Sequence, residues 1–405
     1  MKPIPFSPPR IDDKTIEAVS AVLRSGWITT GPQTRALEED LRRFTQSGPV
    51  LCLNSWTNAV ELILRWFGIQ EGDEVLIPAY TYAATANIVV HVGAKPIMVD
   101  SAANSPLMDI EDARKKLTSR TKAIMPVDIG GFPIDYEAVM QLSKSYSKLF
   151  KWESSTEVQQ KLGRPLVIAD AAHSFGAWYK TKYVGAQTDV MAFSFHAVKN
   201  LTTAEGGSLH FNLPEPFSND AVRAALNVSA LHGQTKDALS KTQAGNWRYD
   251  IVEAGYKCNM TDIHAAIGRV ELERYEETLQ RRKKICSIYL EKFSAFPLQF
   301  ILPEFKSEIS ESSYHLFMLR ISGFTELQRD EVIRIVAEQG ISLNVHFQPL
   351  PLLSFYKQRG YDIHNFPNAW NAYVNEISLP VYFNLSDEEA ERVADSVIQA
   401  VKKIC

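Results

Sequence analysis

Short apolar runs alternate with helix-like stretches over the first 250 residues, and this alternation constrains the fold more than any other feature. The runs lie at 74–78, 123–129, 165–169, 190–195 and 208–211, and many of them are rich in β-branched residues. A strand that is apolar along its whole length is typical of one that is buried on both faces. The pattern therefore predicts an α/β fold in which helices cover both sides of a mostly parallel sheet.

The sequence changes character after about residue 256, where the alternation of strands and helices ends. A helical pattern at 260–280 continues into a basic stretch, and strands are predicted at 315–321 and 341–346. A closing helix at 386–401 begins with a capping-box pattern. The last third of the chain therefore reads as a smaller α+β unit.

The length of the chain favours two domains. At 405 residues it exceeds the size at which one hydrophobic core usually keeps growing. We expect a large α/β domain at 1–250, and at 251–405 a long linking helix followed by a small α+β domain. The polar segment 142–164 is long for a helix-to-strand connection, and we expect it to be a surface excursion.

Charge and cysteine content exclude several classes of protein. With 43 basic and 47 acidic residues the chain has no global field that would attract nucleic acid or an anionic membrane. The four cysteines form no C-x-x-C pair and have no histidine pattern of a zinc site, so we expect reduced thiols and no metal. Two prolines interrupt the start of the chain, and no apolar stretch approaches the ~20 residues of a membrane span. We therefore expect a cytoplasmic protein.

Asp170 and Lys199 are the two side chains that indicate a chemistry. Asp170 ends an apolar strand, where an unpaired buried carboxylate would be costly to desolvate, and Lys199 follows another apolar strand. A lysine amine condenses with an aldehyde, and a carboxylate keeps a pyridine nitrogen protonated. Pyridoxal 5'-phosphate (PLP) requires both groups, so the pair predicts a PLP site. A helix-capping aspartate and a surface lysine are the alternative interpretation.

The stretch 54–58 is the candidate for the cofactor's phosphate. It ends a strand-like piece and opens a helix, so that backbone N–H groups converge at a positive helix terminus. Ser55 and Thr57 add hydroxyls there, and Trp56 lies between them. Simple N-capping of the helix by Thr57 or Asn58, with Glu61, is the alternative.

Several linked blocks of the chain together form one extended pattern. The two signature blocks are ADAAHSFGA at 169–177 and FSFHAVKNLTTAEGG at 193–207. Further matching blocks are IPFS at 4–7, LRSGWITTGP at 23–32, GDEVLIPAYTYAATAN at 72–87, GISLNVHF at 340–347 and SLPVY at 378–382. Together these blocks resemble the DegT/DnrJ/EryC1/StrS sugar aminotransferases. The resemblance covers nearly the whole chain, which makes it far more specific than one short motif.

The resemblance implies a fold-type I PLP enzyme and a role for individual residues. The positions that match family cofactor contacts are Lys199, Asp170, His173, Tyr82 and Ser194. It implies that Lys199 condenses with PLP and moves protons, and that Asp170 pairs with the ring nitrogen. It also implies that His173 contacts the phenolic oxygen, that Tyr82 stacks on the ring, and that Ser194 binds the phosphate.

The chain departs from the family pattern at several positions. Trp56 stands where a small residue is common. Lys257 and Asn259 stand near the position of a family asparagine that reaches the partner subunit's phosphate, and Lys257 would bring a charge in its place. Asp128 and Pro351 stand where the family has histidines, at positions where substrate specificity can be set.

Substrate contacts are expected from Thr29, Tyr82, Asp128, His196 and His346. Four of them lie within the matching blocks, and Asp128 replaces a family histidine. For His196 two interpretations stay open, a proton-handling group and a packing residue.

The resemblance implies an aminotransferase that moves an amino group from L-glutamate to the keto carbon of a nucleotide-linked 3-keto or 4-keto deoxysugar. Such a reaction serves the synthesis of amino sugars and surface polysaccharides. Since fold-type I sites lie between subunits, a homodimer with shared sites is also implied. We expect neither a nucleic-acid partner nor a membrane.

Two alternatives to this function stay open. One is a PLP-dependent dehydratase or cyclase of the same fold, against which Lys199 argues because the family's sugar dehydratases carry a histidine there. The other is a non-catalytic regulator that binds nucleotide sugars. A Rossmann dehydrogenase and a P-loop enzyme are disfavoured because the sequence contains neither glycine-rich motif.

Overall fold

The computed structural model of the protein describes residues 2–147, 155–236 and 248–404. The strands are β1 Val50–Leu53, β2 Glu74–Pro78, β3 Lys95–Val99, β4 Thr121–Ile124, β5 Leu166–Asp170, β6 Trp178–Tyr179, β7 Lys182–Tyr183, β8 Val190–Ser194, β9 Gly207–Phe211, β10 Phe300–Ile301, β11 Ser310–Glu311, β12 Phe317–Ile321 and β13 Glu376–Leu379. The helices are α1 Asp13–Ser25, α2 Pro32–Thr45, α3 Trp56–Trp66, α4 Ala83–His91, α5 Ile110–Lys116, α6 Tyr136–Ser145, α7 Glu157–Leu162, α8 Asn219–Ser229, α9 Asp262–Glu273, α10 Tyr275–Ser294, α11 Glu326–Glu338, α12 Ser354–Lys357, α13 Pro367–Tyr373 and α14 Asp387–Ile404.

A mixed, mostly parallel sheet of seven strands organises the first half of the chain. Its order is β1-β9-β8-β5-β4-β2-β3. The pairs from β3 through β2, β4 and β5 to β8 are parallel, whereas β9 runs antiparallel to both β8 and β1. The α/β fold predicted from the alternation of strands and helices is confirmed. Its parallel strands place their carboxyl ends at one edge of the sheet.

The central strands are buried on both faces, as their uninterrupted apolar sequences predict. In β5, Val167 and Ala169 contribute to one hydrophobic cluster, while Leu166 and Ile168 contribute to the cluster on the opposite face. Because side chains alternate along a strand, such a sequence needs a helical layer on each side. Only the carboxyl end of the strand, at Asp170, carries a charge.

A second antiparallel sheet, in the order β10-β12-β13, lies in the C-terminal part of the chain. The closing helix α14 begins with the predicted capping box, since Glu389 N donates to Ser386 Oγ and Ser386 N donates to the Glu389 carboxylate. One hydrophobic cluster includes both Val99 of the large sheet and Phe317 of the small one. Among the described helices, none combines the length and apolar character that a bilayer crossing requires.

Two predicted elements of the C-terminal part are wrong. The helix predicted at 260–280 is divided into α9 and α10, because Arg274 between them has the non-helical angles φ −108° and ψ 15°. The break allows the Arg274 guanidinium to bind Asp12 and Glu271. The segment 341–346 forms isolated bridges at Ile341 and Asn344 instead of a strand. The middle of the predicted excursion at 142–164 lies outside the described residues.

A buried ion pair joins the beginnings of β5 and β8. Both carboxylate oxygens of Asp189 accept from the Arg164 guanidinium, each at 2.7 Å. Asp189 also accepts from the backbone N–H of Val167 at 2.9 Å. Since the two side chains are at most 8% exposed, each charge depends on the other for compensation. The pair fixes the two strands that lead to Asp170 and Lys199.

We predict that Asp189→Ala lowers the apparent free energy of unfolding by about 3–5 kcal/mol, because it leaves the Arg164 charge buried and unpaired. Urea unfolding followed by tryptophan fluorescence measures the change. Arg24→Ala, which removes an exposed ion pair with Glu17, serves as control and should cost less than about 1 kcal/mol. Equal unfolding midpoints for the two variants would contradict a structural role for the buried pair.

Candidate active site

A cavity of about 360 Å³ opens where β5 and β8 end. Of the residues proposed from the sequence, it is lined by Ser55, Trp56, Thr57, Tyr82, Asp170, His173, Ser194, His196, Lys199 and His346. These side chains come from four different strand ends and from the C-terminal half of the chain. The position agrees with the rule that ligands bind at the carboxyl edge of a parallel sheet.

Asp170 is the last residue of β5 and is paired with Ala192 of β8. Its carboxylate accepts from Thr85 Oγ1 at 2.9 Å and from the backbone N–H of Ala172 at 3.2 Å. Burial raises the pKa of Asp170 to about 6, although these hydrogen bonds and the charge of Lys199 act in the opposite direction. The carboxylate is thus held in place and is ionised at neutral pH.

Lys199 lies in the turn that follows β8, where its backbone N–H donates to His196 O at 2.9 Å. Burial lowers the pKa of Lys199 to about 8, and the charge of Asp170 counteracts part of this effect. A larger share of the amine is therefore neutral than on an exposed lysine. The neutral form is the one that attacks a carbonyl carbon.

The first turn of α3 forms a cradle for an anion at one end of the cavity. Ser55 caps this helix by accepting from Asn58 N at 3.1 Å, which leaves the N–H groups of Trp56 and Thr57 at the positive helix terminus. Gly207 lies against this backbone, because a Cβ at that position would come within 2.4 Å of Trp56 N. The glycine is thus required for the close contact between β9 and the cradle.

Two buried histidines on the opposite wall are held in defined tautomers. His173 Nδ1 accepts from Gly130 N at 3.2 Å, so that the ring carries its proton at Nε2. His315 Nδ1 lies 2.8 Å from Asn200 Oδ1, and the Asn200 amide donates to a backbone carbonyl, so that the proton of His315 is at Nδ1. The two ring centroids are 4.3 Å apart. Burial lowers the pKa of both histidines well below the usual value, which keeps them neutral.

Aromatic side chains complete the wall near the opening. Phe347 lies 5.5 Å from the Tyr82 ring and 5.8 Å from the His173 ring, measured between centroids. Phe6 stacks on His346 at 5.3 Å. Tyr82 itself is 61% exposed, so that its ring is available to a ligand.

Sequence reasoning missed Thr85, His315 and Phe347 as residues of the site. Thr85 lies one helical turn after Tyr82, and this spacing on α4 is a local signal that could have identified it. His315 and Phe347 come from the distant C-terminal half of the chain. Phe347 ends the matching block 340–347, whereas His315 lies outside the matching blocks, and the approach of both to the cavity depends on tertiary packing.

Asp128 does not line the cavity, in contrast to the expectation that it contacts substrate. Its buried carboxylate accepts from Ile134 N at 3.1 Å, from Ser174 Oγ at 2.6 Å and from the Tyr136 hydroxyl. Burial raises the pKa of Asp128 to about 7. This network holds the turn that contains Gly130, so Asp128 supports the His173 ring from behind.

Thr29, Lys257 and Asn259 also lie outside the cavity of the single chain. Lys257 is exposed, and its Nζ lies 2.5 Å from Asn259 Oδ1. The Asn259 amide in turn donates to Thr30 Oγ1 at 2.6 Å. Within the described ranges, no group of three or more acidic, histidine or cysteine side chains could hold a metal ion.

The model of the DegT/DnrJ/EryC1/StrS aminotransferase family matches residues 9–398. The spore coat polysaccharide biosynthesis protein SpsC of Bacillus subtilis is 33% identical, over 98% of this chain and 97% of its own length. Spr1654 of Streptococcus pneumoniae, assigned as a sugar aminotransferase and solved in its PMP form, is similar with a TM-score of 0.95 and 43% identity, over 99% of this chain and 100% of its own.

Helicobacter pylori PseC, an aminotransferase involved in the biosynthesis of pseudoaminic acid, has a TM-score of 0.86 and 26% identity, over 99% of this chain and 100% of its own. Together with a PLP form of the Streptococcus protein, these similarities agree with the Asp170 and Lys199 geometry. The chain therefore belongs to the DegT/DnrJ/EryC1/StrS aminotransferase family, and it is a PLP-dependent sugar aminotransferase.

Proposed function

We propose that the protein transfers the amino group of L-glutamate to the keto carbon of a nucleotide-linked 3-keto or 4-keto deoxysugar. The observation that carries this proposal is the convergence of Asp170, Lys199 and His173 in one cavity beside the helix cradle. SpsC is named for spore coat polysaccharide biosynthesis, and PseC is an aminotransferase involved in the biosynthesis of pseudoaminic acid; with the sugar aminotransferase Spr1654 they support a sugar as the acceptor. The product would then enter the synthesis of a surface polysaccharide.

The residues of the cavity fit PLP at each of its three polar ends. PLP supplies an aldehyde that captures amines and a ring that takes up electron density. Ser55, Thr57 and Ser194 offer hydroxyls, with the Trp56 N–H, to a phosphate at the start of α3. The Asp170 carboxylate would bind the protonated ring nitrogen, which compensates a charge that is otherwise buried.

Lys199 would hold the cofactor through its amine and then move protons at Nζ. Its lowered pKa of about 8 allows the amine to lose and regain a proton near neutral pH. His173 would donate from Nε2 to the phenolic oxygen, because its Nδ1 is already occupied by the Gly130 N–H. Tyr82, largely exposed at the mouth, would stack on the ring.

Both subunits of a homodimer would build each site. Among the described residues that line the cavity, Lys199 is the only lysine and no arginine is present. The cofactor phosphate, the donor carboxylates and a nucleotide diphosphate together carry several negative charges, which favour additional cations. The exposed Lys257 of the partner subunit would supply one of them.

We expect the α-amino 15N of L-glutamate to appear in the sugar product. Mass spectrometry of a panel of nucleotide-linked 3-keto and 4-keto deoxysugars measures this transfer. Lys199→Ala should reduce turnover by about 10²–10⁴-fold, because it removes the group that moves the proton. Full turnover by Lys199→Ala would exclude the proposed role, and labelled product from another amino acid alone would exclude glutamate as donor.

We further predict that mixed dimers of Lys199→Ala and Lys257→Ala chains regain activity that neither variant has alone. If the two lesions fall in different halves of a shared site, random mixing leaves one intact site in half of the dimers and restores roughly a quarter of wild-type activity. Activity is measured after the mixed chains are refolded together.

A mixture of Lys199→Ala and Asp170→Asn chains is the matched control for this experiment. Both residues line the cavity of one chain, so each site of a mixed dimer still carries a lesion. This mixture should stay inactive. Equal recovery in the two mixtures, or recovery in neither, would contradict a site that takes Lys257 from the partner.

A further inference from the structure

His346 connects the cavity to a buried carboxyl group that the proposed function does not use. Its ring lines the cavity, and its Nδ1 lies 2.9 Å from Ser378 Oγ. Ser378 Oγ lies in turn 2.5 Å from Glu376 Oε1, and the backbone N–H of His346 donates to Glu376 Oε2 at 3.0 Å. Ser378 and Glu376 are fully buried in β13. The three side chains thus form an unbroken hydrogen-bonded line from the cavity to the interior.

The line can be polarised in two directions. When Glu376 is ionised, the Ser378 hydroxyl donates to Glu376, and His346 donates from Nδ1 to Ser378 Oγ. Nε2 of His346 then carries no proton and can accept a hydrogen bond. When Glu376 is protonated at Oε1, it donates to Ser378, and Ser378 donates to Nδ1, so that the ring carries its proton at Nε2 instead. The state of Glu376 therefore decides whether Nε2 of His346 accepts or donates a hydrogen bond.

The surroundings of Glu376 allow both states near neutral pH. Burial raises the pKa of Glu376 to about 8, and the charge of Arg329 on α11 reduces this effect. Arg320 on β12 lies opposite Glu376 in the register of the small sheet. Near the other end of the hydrogen-bonded line, the hydroxyl of Tyr80 donates to His346 O at 2.7 Å. Burial and the charge of Lys199 lower the pKa of His346 to about 3, so that its ring stays neutral.

We propose that His346 is a second proton-transfer residue of this aminotransferase, and that Ser378 and Glu376 are the positioning residues that set its tautomer and store its proton. The proposal rests on the aminotransferase site described above in one respect, that His346 faces the sugar. Its hydrogen-bonded geometry is independent of which keto sugar or amino donor is used.

The relay has a defined proton balance. Nε2 of His346 takes a proton from the cavity, the Nδ1–H bond breaks as Ser378 Oγ takes that proton, and the Ser378 O–H bond breaks as Glu376 Oε1 takes the next. One proton moves from the cavity to Glu376 without any change in electron count. In the reverse direction the relay delivers a proton to the cavity. Replacement of a keto oxygen by an amine releases water, and the departing oxygen requires such a proton.

Glu376→Gln is a sharp test because the hydrogen bonds dictate the orientation of the new amide. The His346 backbone N–H requires the amide oxygen, so that the NH₂ group faces Ser378 and donates to it. This variant should lock the His346 proton at Nε2. Ser378→Ala instead removes the middle of the line and should uncouple the ring from Glu376.

The experiment is 15N NMR of histidine-labelled, PLP-loaded enzyme, with His346→Gln used to assign the signal. In the wild type the ring proton should move from Nε2 to Nδ1 as the pH rises through about 8, because Glu376 is protonated below its raised pKa and ionised above it. In Glu376→Gln it should stay at Nε2 throughout. A wild-type ring that does not change tautomer, or a Glu376→Gln ring that changes like the wild type, would overturn the relay.

Kinetics provide the second readout. Glu376→Gln should lower kcat by about 10²-fold with little change in KM, since a proton transfer is lost and substrate binding is kept. Glu271→Gln is the matched control, because Glu271 is also buried but pairs with Arg274 outside the cavity. An equal loss in both variants would overturn the relay. The tautomer is read without any substrate, so a wrong choice of sugar or donor leaves it unaffected.

Discussion

The parallel pairing of β5 with β8 is the constraint on which the site depends. It brings the carboxylate at the end of one strand next to the turn that carries Lys199 after the other. Burial raises the pKa of Asp170 and lowers that of Lys199, so both groups are held in an environment that disfavours their charged forms. A protonated ring nitrogen would compensate the buried charge of Asp170, and an aldehyde would bind Lys199 through its neutral amine. The Arg164–Asp189 ion pair at the opposite ends of the same strands fixes this geometry.

Neutral histidines define the chemistry of the remaining wall. Each buried ring has one nitrogen occupied by a protein partner, and the partner determines what the other nitrogen offers. His173 offers a donor at Nε2 because a backbone N–H donates to its Nδ1, whereas His315 offers an acceptor at Nε2 because its Nδ1–H donates to Asn200 Oδ1. His346 is hydrogen-bonded through Ser378 to Glu376, whose raised pKa of about 8 allows it to change protonation state near neutral pH. The wall therefore orients ligands without adding positive charge beside Lys199.

Much of the fold and the chemical centre could be predicted from the sequence, because they depend on local signals. Apolar strands and Asp170 at a strand end are readable from neighbouring residues, whereas the cap of α3 is Ser55 and not Thr57 or Asn58 as the sequence suggested. The helix break at Arg274 was not predictable, since the contact that accompanies it is with the distant Asp12. Asp128 was placed near the substrate because a family pattern shows the position but not the direction of a side chain; its three hydrogen bonds turn it into the protein.

In the proposed reaction this cavity moves an amino group from glutamate by means of Lys199 and Asp170. The most direct measurement is the absorbance spectrum of the PLP-loaded protein before and after the addition of L-glutamate. Glutamate should replace the yellow band of lysine-bound PLP by the band of pyridoxamine phosphate, and 2-oxoglutarate should restore the yellow band. A yellow band that saturating glutamate leaves unchanged would contradict the assignment of glutamate as donor, and a protein that binds no PLP would contradict the account as a whole.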